Sequence, residues 1–195
     1  MTKAPVKRQQ GPRRSEDSRA AILEATRKEL VETGWRKFSV DKVSRHAKAS
    51  KQTIYRWWPA IGTMCVEAAL TELPARSTTG RDPVERIADL LLPIETMMKT
   101  GSGHAVFRGA IMAACDDKEA GEAWRAWMKD NIRAPLRLVL AEIATKKIIR
   151  RDFDLDEAVD TLTGPIWSRV LIFRSPLTEN FSRVQAEKLL KQLAA

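Results

Sequence analysis

Ser50-Lys51-Gln52-Thr53-Ile54-Tyr55-Arg56-Trp57-Trp58-Pro59 is the stretch on which the reading of this chain turns. Ser50 is a helix-capping residue type, because its hydroxyl accepts a hydrogen bond from a first-turn backbone N–H. Pro59 disfavours helical geometry in the residue before it and so closes the helix at Trp58. Ile54 and Trp58 lie four apart and share an apolar face. The remaining positions carry the groups a major-groove reader needs. Lys51 and Arg56 neutralise phosphate, Gln52 bonds an adenine edge through two hydrogen bonds, Thr53 offers a hydroxyl and a methyl, and Tyr55 reaches phosphate or a thymine methyl. An ordinary amphipathic helix with a solvated polar face has the same pattern, so the neighbouring sequence has to decide.

Upstream, Ser39 is placed to cap a second short helix from Val40 to about Ala47, with Val40, Val43 and Ala47 on one face and Lys42, Arg45 and Lys48 turned outward. A first helix is predicted from Ser15 as N-cap, with Glu16 and Asp17 in its first turn, apolar spacing through Ile22, Leu23 and Leu30, and Gly34 as its stop. Trp35 and Phe38 bridge to the second helix. Three helices in about 45 residues, the last two joined by a tight turn, make a helix-turn-helix over residues 15–60. Residues 1–14 hold Lys3, Lys7, Arg8, Arg13 and Arg14 with no acid and read as a flexible basic arm.

Charge supports this partition. Residues 1–60 contain 15 Lys/Arg against 6 Asp/Glu, whereas residues 61–195 contain 19 of each, so the whole formal charge of +9 sits in the N-terminal third. Such segregation favours a polyanionic partner for that third alone. Beyond Thr63 no period-2 strand pattern or internal repeat occurs. Helical runs are predicted at 63–73, 83–99, 104–115, 118–147, 155–173 and 178–193, separated by breaks such as PARSTTGRD (74–82) and TGSG (100–103). Pro135 should kink or break the long fourth run, and Gly164-Pro165 should bend the fifth. The class is all-α, with a helical second domain over 61–195. Cys65 and Cys115 show no metal-ligand spacing and read as buried thiols. No apolar run approaches the ~18 residues of a membrane span. A cytoplasmic protein without cofactor, metal or membrane partner is expected.

These residues resemble the tetracycline-repressor (TetR) family of bacterial regulators. The resemblance is carried by Ile22-Leu23-Glu24-Ala25, Gly34, Phe38-Ser39-Val40 and above all Ser50-x-x-Thr53-Ile54-Tyr55-x-x-Trp58-Pro59, and more weakly by Asp154-Leu155-Asp156, Leu162-Thr163-Gly164-Pro165-Ile166-Trp167 and Arg169. It implies a homodimer whose two recognition helices enter successive major grooves of a palindromic double-stranded DNA operator, and a C-terminal domain that dimerises and holds a small-molecule effector. Such proteins are usually repressors. Carried over by position, Lys51, Gln52, Thr53 and Tyr55 touch bases or phosphates, with Ser39 and Trp57 against the backbone; Lys42 and Arg56 join them by charge. The chain departs from the family pattern at Lys48, where the turn usually holds glycine. Either a lysine takes a left-handed conformation there or the turn is built differently. Trp58 replaces a usual Phe, and Ala60-Ile61-Gly62 replaces a Ser-Lys-Glu-like segment.

In the second domain, Met97, Phe107, Ile111, Met112, Trp124, Trp127, Met128 and Trp167 supply large, adaptable apolar groups suited to an apolar or aromatic effector, and would otherwise be core. Val159, Leu162, Ile166, Val170 and Phe173, continued by Phe181, Val184, Leu189 and Leu193, form a stripe proposed as the homodimer face over residues 155–193, with packing inside one chain as the alternative. The competing functions are a helical enzyme, for which Ser102, His104 and Asp116 or Asp117 can be imagined as a hydrolytic set, and a nucleic-acid-binding protein that answers to no ligand. No nucleophile elbow accompanies that set, so the chain is read as no enzyme.

Overall fold

The computed structural model describes residues 12–75 and 82–194, with side chains from Ser15 onward. The described residues form ten α-helices: α1 (Pro12–Thr33), α2 (Val40–His46), α3 (Lys51–Trp57), α4 (Ile61–Leu70), α5 (Pro83–Met98), α6 (Gly101–Asp116), α7 (Lys118–Met128), α8 (Ala134–Thr145), α9 (Leu155–Trp167) and α10 (Phe181–Gln192). The only extended pairing among them is an isolated bridge between Ile149 and Ala194. The all-α expectation therefore holds. Residues 1–11 of the basic arm expected over 1–14, and most of the 74–82 break, lie outside the described residues. Where the arm meets the helix the expectation is corrected. α1 starts at Pro12, whose fixed φ suits a first helical position, so residues 12–14 are helical and Ser15 is not the cap. α6 likewise starts at Gly101, capped by Thr100 Oγ1 at 3.0 Å from the Gly103 N–H, so the TGSG segment is mostly its first turn.

Two helices serve both cores, α4 on two adjacent stripes and α1 through Leu30, which it adds to the larger one. A small core joins Ile22, Leu23 and Ala25 of α1 to Val43, Ile54 and Trp58, and to Met64 and Ala68 of α4. A larger one runs through α5 to α10, and α4 contributes Cys65 and Ala69 to it. Met64/Ala68 and Cys65/Ala69 are each four apart, so α4 presents one stripe to the small head and the next to the large body. Further ties cross the same seam. A Cβ placed on Gly62 would lie 2.8 Å from the Cβ atoms of Asp117 and Ala120, so glycine lets the start of α7 lie against the start of α4. A Cβ on Gly109 of α6 would stand 2.9 Å from Leu30 Cδ2 of α1. The Trp35 indole donates to Asp116 Oδ2 at 2.8 Å.

The two proline sites differ in where the helix widens. α7 and α8 form one continuous helical path with a π-helical segment, Lys129–Arg133, just before Pro135. A second π-helical segment, Ser168–Phe173, follows the α9 turn that contains Pro165, and ends at Arg174 in the left-handed region (φ 50°). Pro135 brings no N–H for the Asn131 carbonyl four residues back, which lies inside the first widened segment, whereas Pro93 sits within α5 with no such segment. The stripe assigned to a dimer face is corrected in most of its members. Val159, Leu162, Ile166, Val170, Phe181, Leu189 and Leu193 are buried within the single chain. Phe173 (70% exposed) and Val184 (38%) remain outside, together with Leu171 and Ile172.

The N-terminus of α10 has no cap of its own, since Asn180 sits there in the left-handed region with no side-chain capping bond. Its place is taken from α5. The buried Glu95 carboxylate accepts from the Ser182 N–H at 2.8 Å and pairs with Lys99 at 3.2 Å. Burial alone would raise the Glu95 pKa, but the hydrogen bonds from Ser182 and Lys99 outweigh it and hold the group below the ordinary carboxylate value. A depressed folded-state pKa contributes stability above the unfolded value of about 4.3 and loses it as pH falls through the lower folded one. Glu95→Ala is accordingly expected to lose about 1–3 kcal/mol at neutral pH, the cost of stranding buried donors. Denaturation at stepped pH should show the gap from the parent narrowing below about pH 4; a gap that widened on acidification would contradict the assignment.

Candidate nucleic-acid interface

Four backbone features shape the reading head. Ser39 stands at the N-cap of α2 in an extended conformation, but its hydroxyl makes no capping bond, which leaves it open to another partner. Between α2 and α3 the chain turns at Lys48, which adopts the left-handed region (φ 50°), so the first of the two alternatives for this turn is the one realised. Ser44 closes the turn by donating from Oγ to the Ala49 carbonyl at 2.6 Å. Ser50 then caps α3 as expected, accepting from the Thr53 N–H at 3.1 Å, and its hydroxyl lies 2.9 Å from Thr53 Oγ1. Trp58 leaves helical geometry (φ −131°, ψ 87°) ahead of Pro59.

Side-chain placement follows the helical face. Ile54 and Trp58 are buried, whereas Lys51, Gln52, Tyr55 and Arg56 are exposed and Thr53 and Trp57 half-buried. Trp58 is tied down at its polar end, its indole N–H donating to Glu67 Oε2 of α4 at 3.0 Å. Glu67 Oε1 in turn pairs with Arg19 of α1 at 2.6 Å, and the Arg19 guanidinium lies 5.5 and 5.6 Å from the Trp57 and Trp58 ring centroids. Cation–π contact and ion pair thus lock α3 to α1 and α4. Neither Arg19 nor Glu67 was legible as a partner, because the residues they meet lie far along the chain or on another helix and no local spacing signals the contact.

The cations around α2 and α3 divide into two groups. Lys42 pairs with Glu29 Oε1 at 3.3 Å, and Glu29 is fully buried, held otherwise by the Thr33 hydroxyl at 3.0 Å. Lys51 pairs with Asp41 at 2.5 Å. Arg36 and Lys37 on the short 3-10 turn Trp35–Lys37, together with Arg45, Lys48 and Arg56, are exposed and make no ion pair among the described residues. Arg36 and Lys37 were not singled out in the sequence. Their outward placement depends on the anchoring of Trp35 to Asp116 and its packing on Phe38.

In the body, the apolar residues named as effector contacts divide as well. Phe107, Trp124, Trp127 and Trp167 come together ring against ring, with centroids 5.3 Å (Phe107–Trp124), 6.3 Å (Phe107–Trp167) and 6.1 Å (Trp124–Trp127) apart. Phe107 and Ile111 are buried, and Met112 and Met128 half-buried. Met97 instead lines a cleft of about 570 Å³ between α1 and the α5–α6 corner, beside Val31, Pro74 and Val106. Trp127 lines a smaller hollow of about 190 Å³ with Leu90, Ile94 and Ile132. The imagined hydrolytic set does not assemble. Ser102 and His104 lie at one end of α6 and Asp116 and Asp117 at the other, about 18 Å along the axis. His104 is held below the ordinary histidine pKa by burial and by Arg108.

Two stability outcomes follow for this head. Trp58→Ala should cost about 3–5 kcal/mol, the loss typical of a buried aromatic. Lys42→Ala should cost about 1–3 kcal/mol, because it leaves the buried Glu29 carboxylate without its cation. Chemical denaturation of both variants tests this; a Lys42→Ala protein as stable as the parent would return Lys42 to the purely surface cations.

Comparison with known proteins agrees with this geometry. Residues 22–61 match the family described as bacterial regulatory proteins, tetR family, and residues 82–189 match the tetracyclin repressor-like C-terminal domain. The chain is 27% identical over 179 residues to the uncharacterized HTH-type transcriptional regulator YdeS of Bacillus subtilis, covering 89% of this chain and 88% of that one. A similar HTH-type regulator of Mycobacterium bovis is 24% identical over 164 residues, covering 82% and 79%. Among solved structures, the TetR family transcription regulator SCO0332 aligns with a TM-score of 0.62 at 27% identity over 92% of this chain and 100% of that one. NalD, described as the secondary repressor of the MexAB-OprM multidrug efflux pump in Pseudomonas aeruginosa, shares the fold at a TM-score of 0.62 and 16% identity over 91% and 96%. Matched in both its reading head and its helical body, the chain belongs to the TetR family of DNA-binding transcriptional regulators.

Proposed function

We propose that this regulator is a repressor that binds a palindromic operator as a homodimer and is released by a small-molecule effector. The observation that carries the reading is the division of α3, with Ile54 and Trp58 buried while Gln52, Tyr55 and Arg56 stand exposed on the basic third of the chain. Gln52 reads a base edge, Thr53 and Tyr55 flank it, Lys51 stands beside it paired with Asp41, and Ser39 and Trp57 meet the sugar-phosphate backbone. The unpaired cations Arg36, Lys37, Arg45, Lys48 and Arg56 neutralise phosphates around them. Lys42 serves Glu29 first, which removes it from this set.

Dimerisation is supported by the apolar side chains that stay outside at the end of the second π-helical segment, Leu171, Ile172 and Phe173, and by Val184 on α10. Open space before Gly164 lets another helix approach that side of α9. An effector with a largely apolar body is accommodated in the helical body near Met97, Phe107, Ile111, Met112, Trp124, Trp127, Met128 and Trp167; support comes from the two hollows that reach Met97 and Trp127. Such a ligand acts on the head through the Gly62, Leu30 and Trp35 contacts, since a shift of α6 or α7 has to move α4 or α1 with it.

Selection of bound fragments from a genomic pool by the purified full chain should enrich a palindrome whose half-sites lie one helical turn, about 34–36 Å, or a multiple of it apart. On that fragment Gln52→Ala should cost about 1–3 kcal/mol and relax preference at one base pair in each half-site. Failure to enrich any sequence would refute operator reading. An unchanged ranking of single-base variants would move the reading role to Thr53 or Tyr55.

A further inference from the structure

Between Glu32 and Glu67 the chain contains seven Lys/Arg and a single acid, Asp41. That lone carboxylate is not spent on the core. It stands exposed in the first turn of α2, and its Oδ1 lies 2.5 Å from the ammonium of Lys51, the first residue of α3 and the neighbour of Gln52. Both side chains are more than half exposed, which separates this pair from Lys42–Glu29, where the acid is buried and the cation has a structural task. The pair therefore spans the helix-turn-helix at the end of α3 that meets base edges.

Resting on the DNA-binding reading of the head, we infer that Asp41 is a specificity-setting residue: it holds the Lys51 ammonium and so withholds one positive charge per protomer from the phosphate backbone. Affinity for arbitrary duplex scales with the number of phosphates neutralised, whereas specificity is the difference between that background and the read site. An acid beside the reader lowers the background more than it lowers binding to a sequence that Gln52, Thr53 and Tyr55 recognise, because the base contacts do not pass through Lys51. The hold is also weak. Exposed pairs contribute little to stability, so removing Asp41 leaves the fold intact while freeing Lys51. The hydrogen bond to Asp41 keeps the Lys51 pKa above the ordinary lysine value, so the ammonium stays charged at physiological pH.

The test is a double-substitution cycle on the full chain, with a mixed-sequence 30-base-pair duplex and the enriched fragment as probes, each titrated at several salt concentrations. Asp41→Asn, with Asp41→Ser as a second variant, should tighten binding to the mixed duplex about tenfold at physiological salt. The salt slope should steepen by about 0.9 for each additional phosphate neutralised. Binding to the enriched fragment should tighten less, so that the specificity ratio falls. In a Lys51→Met background the same Asp41 substitutions should change neither slope nor ratio. Equal tightening in both backgrounds would show plain repulsion between Asp41 and phosphate and overturn the inference, as would no tightening in the parent. A parent chain that bound neither probe would instead overturn the DNA-binding reading itself. Thermal melts of all variants separate loss of fold from change of binding.

Discussion

A helix buried on two adjacent stripes constrains everything else in this molecule. α4 gives Met64 and Ala68 to the small head core and Cys65 and Ala69 to the large body core. Both cores take buried side chains from it. Its first turn has to accept the start of α7, which is why Gly62 stands where a larger residue would collide with Asp117 and Ala120. Burial also pushes the Cys65 thiol pKa well up, so the residue acts as a small apolar group at the seam. A helix shared in this way does not tilt for one domain while standing still for the other, because close-packed interiors transmit displacement.

The head takes its own rigidity from one aromatic residue and the charges around it. Trp58 fills the space between α1, α3 and α4, and its indole N–H ends on Glu67, which also holds Arg19 over the two tryptophan rings. The recognition helix is only seven residues long, too short to persist in water without such packing. Outside this anchor, electrostatics sorts the cations by what acid is near. Lys42 belongs to a buried carboxylate, Lys51 to an exposed one, and the remaining unpaired cations face solvent.

Legibility of the fold and the site varied with how local each signal was. The cap at Ser50, the stop at Pro59 and the burial of Ile54 and Trp58 depend on neighbours within one or two turns, and the folded chain realises them. The left-handed Lys48 was foreseeable as one of two ways to build the turn. A start of α1 at Ser15 was not realised, because Pro12 begins the helix one turn earlier. The stripe through Val159, Leu162, Ile166 and Val170 is legible as one face, whereas its covering is not, since periodicity says which residues share a side and nothing about what lies opposite. The same limit applied to Phe107, Trp124, Trp127 and Trp167. Their bulk was evident, whereas their packing upon one another required four positions on three helices to converge.

The sequence by itself thus determined the helical class, the helix-turn-helix and its outward reading face, and the confinement of positive charge to one third of the chain, since all three follow from local spacing and composition. Only the tertiary structure decided which cations are free. Asp41 and Lys51 are ten residues apart, and Glu29 and Lys42 thirteen, on helices whose relative placement is set by core packing. Tertiary structure also decided that the body's apolar stripe closes on its own chain and that α4 joins the two cores. Contacts of this kind arise where separate helices meet, and the free energy that brings them together comes from burying the surfaces between them rather than from any propensity written along one segment.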